Sequence, residues 1–344
     1  MRGSAGRSCF PSAASRMLDD AAGIDCAPLL AAGEASLAPP PPRIIEGHSD
    51  VSEKRSRAFW PLAIFFSLFV LFLYGPTLTV LVLSFQGPQG GLTFPMNGFS
   101  THWFGVLWQG LGVVDVWAAF GRSFRLGLVV TVLTVVISVL AGLAFRRRFR
   151  GSTLLFYTAI ASLILPSIAV SLGIALEFRI FDDVVKAYGL GGDGYQSAMG
   201  LFTSALGAHL TWTLPFGMLV MFAVFNRFDP AYEEAARDLG ATPWQTFRHV
   251  VLPIIAPYLV GVALFGFTLS WDEIARTSQA IGGPNTLPLE LQGLTTTVTT
   301  PAIYALGTLT TAVSFLVIAL TLGTGLFLRA RRMRGASDAG KGTL

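Results

Sequence analysis

Long apolar runs alternate with short polar connections along this chain, and the runs are far longer than any soluble strand. Crossing a bilayer core of about 30 Å takes about 20 apolar residues as a helix. Six runs reach that length: Phe59 to Phe85, Leu126 to Phe145, Ser152 to Leu176, Met199 to Phe225, Ile254 to Trp271 and Ala302 to Leu328. The third contains Pro166 and the fourth Pro215. Backbone polar groups in lipid must be satisfied within the segment, so each run predicts a helix. Alternating ten-residue strands of the porin kind do not occur. The pattern therefore predicts an all-α membrane protein with six transmembrane helices.

The charged residues orient the spans. Lys54, Arg55 and Arg57 precede the first, and Arg146, Arg147, Arg148 and Arg150 separate the second from the third. Arg227, Arg237 and Arg248 lie between the fourth and fifth, and Arg329, Arg331, Arg332 and Arg334 follow the sixth. The other connections are poorer in cations, so the positive-inside rule places both termini in the cytoplasm and the protein in the plasma membrane. The loop from Gln86 to Gly121 is then external, and its Trp103, Trp108 and Trp117 suit a segment lying at the outer interface. The expected organisation is a disordered cytoplasmic tail over 1–57, a permease domain over 58–329 and a basic cytoplasmic tail over 330–344.

Composition agrees with the pattern. The chain is 52% hydrophobic and only 13% charged, against about 25% charged in an average soluble domain. That excludes an ordinary water-soluble enzyme. The net charge of +4 is dispersed in short clusters between spans, which is membrane topology rather than a nucleic-acid surface. Cys9 and Cys26 both lie in the N-terminal tail and support neither a disulfide framework nor a metal site.

One connection carries more information than a linker requires. Between spans four and five, Asp229 and Pro230 predict a helix start, with Glu233 and Glu234 near the positive end of the dipole. Ala235 and Ala236 favour helix, and Gly240 permits the left-handed residue that ends one. Thr242, Pro243 and Gln245 then spell a capping box for a second short helix. Trp244, Phe247 and Val251 share a face of it, and Pro253 and Pro257 mark the start of span five.

These residues resemble a known family. Glu234-Ala235-Ala236, then Gly240, then Val250, Leu252 and Pro253 match the "EAA" signature of type I ABC importer permeases of the MetI-like fold, with Val250 where the family has Ile. The resemblance implies that the loop docks on a separate cytoplasmic ATPase, with Glu233, Glu234, Ala235, Ala236, Asp238, Gly240, Leu252 and Pro253 forming the coupling loop. It also implies a pair of ATPases, a second permease subunit of a different chain and an extracytoplasmic solute-binding protein. No cofactor or metal is expected on this chain, since ATP is used by the partner. A second resemblance, in Phe94-Pro95, Gly98-Phe99-Ser100, Trp103-Phe104, Leu269 to Ile274 and Asn285 to Leu289, is to the spermidine/putrescine permease group. It implies a polyamine cargo; the alternatives are the same machine for another small solute and a membrane-embedded enzyme.

Candidate pathway residues follow from cost. Ionisable groups near a span usually face a cavity or water. Asp272 and Glu273 close span five, where they could attract a cation. Pro166 and Pro215 each free a helical carbonyl, as in spans that line a pathway, and Trp212 stands one turn before Pro215. His209 is the one histidine well inside a span and is expected to hydrogen-bond a neighbouring helix. The segment Gly335 to Lys341 has phosphate-loop spacing, but Gly342 follows the Lys and no strand precedes it. The chain is therefore not expected to hydrolyse ATP.

Overall fold

The computed structural model describes residues 59–339, apart from 111–114, 148 and 298–299, with side chains as far as 327. The expected tail over 1–57 lies outside the described residues. The chain divides into two units, Met1–Leu62 and Ala63–Leu344, and the helical bundle belongs to the second.

The elements are α1 (Phe59–Leu83), α2 (His102–Gln109), α3 (Val116–Phe145), α4 (Ser152–Ala161), α5 (Ser167–Ala187), α6 (Ser204–Asn226), α7 (Ala231–Asp238), α8 (Pro243–Thr246), a π-helical turn (Phe247–Val251), α9 (Leu252–Trp271), α10 (Thr277–Ala280), α11 (Leu287–Thr297) and α12 (Ala302–Ala339). No strand is present among the described residues; one isolated bridge joins Gln86 to Phe99. Five helices are long and apolar enough to cross a membrane: Phe59–Leu83, Val116–Phe145, Ser204–Asn226, Pro243–Trp271 and Ala302–Phe327.

Three departures from the predicted runs bear on the site; in addition the fourth helix starts at Ser204 and not at Met199, and the last runs on to Ala339. The third run is not one helix. It ends at Ala161, turns through Ser162 to Pro166 and restarts as α5, because Pro166 lacks the N–H that would bond the carbonyl of Ser162. Span two starts ten residues early, where Asp115 Oδ1 accepts the N–H of Ala118 at 2.9 Å and caps α3. Span five keeps Pro253 in the first turn of α9, as expected, but the helical segment runs back through the π turn to Pro243. A proline ring clashes with the carbonyl four residues back in a regular helix. The π turn immediately before Pro253 relieves that, the N–H of Leu252 reaching the carbonyl of Phe247.

The bundle is built on α3, α6 and α9, which pack on one another. Close approach needs small side chains, as in other membrane helix pairs. A Cβ on Gly217 would lie 2.2 Å from Ser138 Oγ of α3, so α6 can sit there only with glycine. Thr134 and Thr213 hydrogen-bond across the same crossing at 2.7 Å. Two apolar clusters finish the ends. Val139, Met221, Phe225, Phe228, Val251, Ile255 and Val262 form the one beside α7 and α8. Leu107, Val116, Phe267, Trp271, Leu287 and Leu306 are among the residues of the other. Trp103 departs from the interfacial reading: it is buried against Ala302 and Ala305, while Trp108 is exposed. Elsewhere Phe, Leu, Ile and Val side chains face outward along α1, α3, α5 and α12, the surface expected of helices bathed in lipid.

Candidate functional site

The EAA segment folds as its residues dictate. Asp229 Oδ1 accepts the N–H of Ala231 at 2.9 Å and opens α7. Gly240 closes it with φ of +83°. The N–H of Ala241 bonds the carbonyl of Ala236 at 3.0 Å, and that of Gly240 bonds Arg237 at 2.8 Å, which is a Schellman motif. The next helix begins two residues later on a complete capping box: the N–H of Thr242 donates to Gln245 Oε1 at 2.8 Å, and the N–H of Gln245 to Thr242 Oγ1 at 3.3 Å. The two helices thus meet at a tight, fully hydrogen-bonded corner.

The two glutamates of this corner have different surroundings. Glu233 is half-buried and accepts a hydrogen bond from Arg146 Nη1, at the end of α3, at 2.5 Å. Arg237 lies 3.6 Å from its other oxygen. The Arg146 guanidinium also lies over Phe225 and Phe228, 5.4 and 5.1 Å from the ring centres. This clamp fixes α7 to the ends of α3 and α6. Glu234, Ala235, Asp238 and Gly240 are exposed, and Ala236 is partly so. Leu239 is 90% exposed at the corner and Trp244 66%, with Trp244 stacked on Phe247 at 5.7 Å. Leu252 packs into the cluster around Val251 and Ile255 instead of facing outward. A cavity of about 730 Å³ opens between the end of α3 and α7–α8, lined by Arg146, Arg147, Phe228, Glu233, Arg237 and Phe247 among others.

The pathway candidates fall into two groups at and beyond the middle of the bundle. Pro166, Trp212 and Pro215 meet around Arg276, which lies in the turn between α9 and α10. Pro215 interrupts no helix, since α6 runs through it. Its missing N–H leaves the carbonyl of Thr211 without an intrahelical partner, and Ser162 Oγ donates to that carbonyl at 2.7 Å. Pro166 likewise frees the carbonyl of Ser162, which accepts from Arg276 Nη2 at 3.1 Å. Arg276 Nη1 donates to Thr211 Oγ1 at 2.5 Å, its Nε to Ser167 Oγ at 3.3 Å, and its guanidinium lies 4.7 Å from the centre of Trp212. It is wholly buried.

Asp272 lies apart from that cluster, and Glu273 touches it only through the backbone of Arg276. Asp272 is exposed at the end of α9, while Glu273 Oε1 accepts the N–H of Arg276 at 2.8 Å and so caps the turn that follows. His209 hydrogen-bonds Ser270 Oγ and Thr277 Oγ1, both at 2.8 Å, tying α6 to α9 and α10 as the sequence leads one to expect. Beyond Leu176, Asp182 of α5 accepts from the Tyr195 and Ser197 hydroxyls and, at 2.7 Å, from the N–H of Ala198. The Ser197 and Tyr195 hydroxyls, then the Ala198 amide, hold its carboxyl below the usual carboxylate range.

Comparison with known proteins places this architecture. Residues 134–334 match the family described as binding-protein-dependent transport system inner membrane component. The chain is 30% identical to the putrescine transport system permease protein PotI of Escherichia coli strain K12, over 74% of this chain and 86% of that one. It is 28% identical to the spermidine/putrescine transport system permease protein PotC of Haemophilus influenzae, over 77% and 96%. A bacterial ABC transporter involved in the import of the acidic polysaccharide alginate shares the fold with a TM-score of 0.58, at 14% identity, covering 78% of this chain and 94% of that one. The chain is a multi-pass inner-membrane protein and belongs to the binding-protein-dependent transport system inner membrane component family.

Proposed function

We propose that this chain forms half of the translocation pathway of an ABC importer for a polyamine, and that α7 and α8 dock on a separate cytoplasmic ATPase. The observation that carries the coupling reading is the rigid corner at Gly240, clamped from behind by Arg146–Glu233, with Glu234, Leu239 and Trp244 turned outward. A passive connection needs neither the clamp nor two satisfied caps. The corner then faces the cytoplasm, both termini lie on that side, and α4, the break and α5 as far as Leu176 together make the remaining crossing. ATP hydrolysis belongs to the partner; a second, different permease and an extracytoplasmic binding protein complete the importer.

The cargo reading rests on the likeness to PotI and PotC and on the exposed carboxylates Glu177, Asp183 and Asp272 at the end of the bundle opposite the corner. Such acids raise the local concentration of a cation. The deciding experiment is uptake of labelled putrescine and spermidine by cells carrying this chain with its neighbouring subunits. Glu234→Lys should leave the chain in the membrane, abolish co-purification with the ATPase and abolish uptake. No uptake of either polyamine by an intact, ATP-hydrolysing complex would discard the cargo, and undiminished ATPase binding by Glu234→Lys would discard the docking face.

A further inference from the structure

Two prolines empty two carbonyls inside the bundle, and one side chain from a third element closes the gap between them. Regular helix would bond the carbonyls of Ser162 and Thr211 to the residues at positions 166 and 215, both of which are proline. Ser162 Oγ serves Thr211, and Arg276 serves Ser162. In lipid an unserved carbonyl is a heavy penalty, so the break in the third span keeps its place only while Arg276 holds it. Arginine suits this task. Its planar fork gives donors in three directions, here to Ser162, Thr211 and Ser167, with one face left for Trp212.

The position of Arg276 along the chain gives this contact a second meaning. Arg276 stands five residues beyond the end of the helix Pro243–Trp271. That helical segment is continuous over 29 residues, with the π turn at Phe247–Val251 inside it, and is about 44 Å long at the usual helical rise. It starts at the capping box of the EAA corner. The short segment after it is stitched down at several points: Glu273 caps it, the N–H of Gln279 donates to Ser171 Oγ at 3.0 Å, and Thr277 meets His209. A shift of the corner is therefore delivered at Arg276, and Arg276 bears on the break.

We propose that Arg276 is a positioning residue that transmits movement of the EAA corner to the break at Ser162–Pro166. The proposal rests on the docking of that corner on an ATPase. Breaks are where helices bend, and α5 meets the rest of the bundle through α10, just beyond Arg276, and through α6.

The test uses the complete transporter with Cys9 and Cys26 replaced by serine and Leu165→Cys as a reporter. Leu165 lies in the break and is exposed. Maleimide labelling is compared between the nucleotide-free and vanadate-trapped complexes, a readout independent of cargo. With Arg276 present, the labelling rate should change at least threefold between the two states. Arg276→Gln should co-purify with the ATPase, hydrolyse ATP and lose that change, and Arg276→Lys should restore part of it. Should Arg276→Gln not assemble, Thr211→Val removes one bond only and should halve the response. An equal response in Arg276→Gln or Thr211→Val, or none in the parent, overturns the proposal. Failure of the parent to co-purify with an ATPase instead strikes the docking reading on which it stands.

Discussion

At the scale of single residues, neighbouring glutamates illustrate how burial divides roles. Glu233 has Arg146 at 2.5 Å and is half-buried, whereas Glu234 is exposed. Glu233→Ala should therefore lower stability by about 1–2 kcal/mol, the range for a charge-assisted hydrogen bond discounted for partial exposure. It reads as a fall in the thermal midpoint of the purified protein. Glu234→Ala should leave that midpoint unchanged. Nothing in the residue pattern separates the two, because the partner is 87 positions away. Gly240 is different: its role was legible, since only a residue tolerant of φ +83° ends α7 there. No atom lies within 4 Å of a Cβ at that position, so Gly240→Val should lose about 1–2 kcal/mol through backbone strain alone. Gly240→Asn should retain most of the stability in the same measurement.

Asp182 supplies a pH dependence. Its carboxyl titrates below the usual range because the Ser197 and Tyr195 hydroxyls and the Ala198 amide stabilise the anion. The folded protein therefore binds that proton less readily than the unfolded chain. The stabilisation is complete above the unfolded value and is lost as pH falls through the folded one. Hydrogen exchange over 188–203 should accelerate on acidification, and Asp182→Asn should make it fast already at neutral pH.

At the scale of elements, caps and prolines were legible, while continuity was not. The capping box at Thr242 and the Schellman corner formed where local residue types call for them. Thr242→Ala should destabilise the protein by about 1 kcal/mol. Both prolines freed a carbonyl as expected, yet one broke its helix and the other did not. Pro166 ends a stretch that restarts as α5, while Pro215 sits inside α6 with its orphan carbonyl served by Ser162. That difference depends on a donor from another segment, and sequence periodicity carries no such term. The role of Arg276 was not legible for the same reason. A lone cation after a span reads as a surface residue until its acceptors, more than 60 positions away, are seen.

At the scale of the whole molecule, the runs of apolar residues predicted a helical membrane protein, and that is what folds. Hydropathy answers whether a segment can sit in lipid. It says nothing about which helices meet, which is decided by small residues and volume. The α3–α6 crossing makes the point. Gly217→Ala puts a methyl 2.2 Å from Ser138 Oγ and should lower stability by about 1–3 kcal/mol. Ser138→Ala in the same chain should recover part of that, since Ser138 Oγ has no hydrogen-bond partner to lose. A double-mutant cycle in detergent measures both. Cargo is the least legible property at this scale, because the exposed acids at the end of the bundle opposite the corner attract any small cation alike.

The π turn at Phe247–Val251 holds one residue more than an α-helix would use over the same height. That turn still closes about one revolution, so the helix on either side keeps its direction and phase. Deleting one position there would leave Leu239 and Trp244 on about the same radius of the bundle, but would press the Pro253 ring against the carbonyl four residues back. Deleting one position from the regular part of α9 would instead swing everything on its N-terminal side by about 100°. Such a deletion should thus be more damaging to the proposed docking face than most point substitutions within it. The aim of that face is held by a count of residues as much as by their identity.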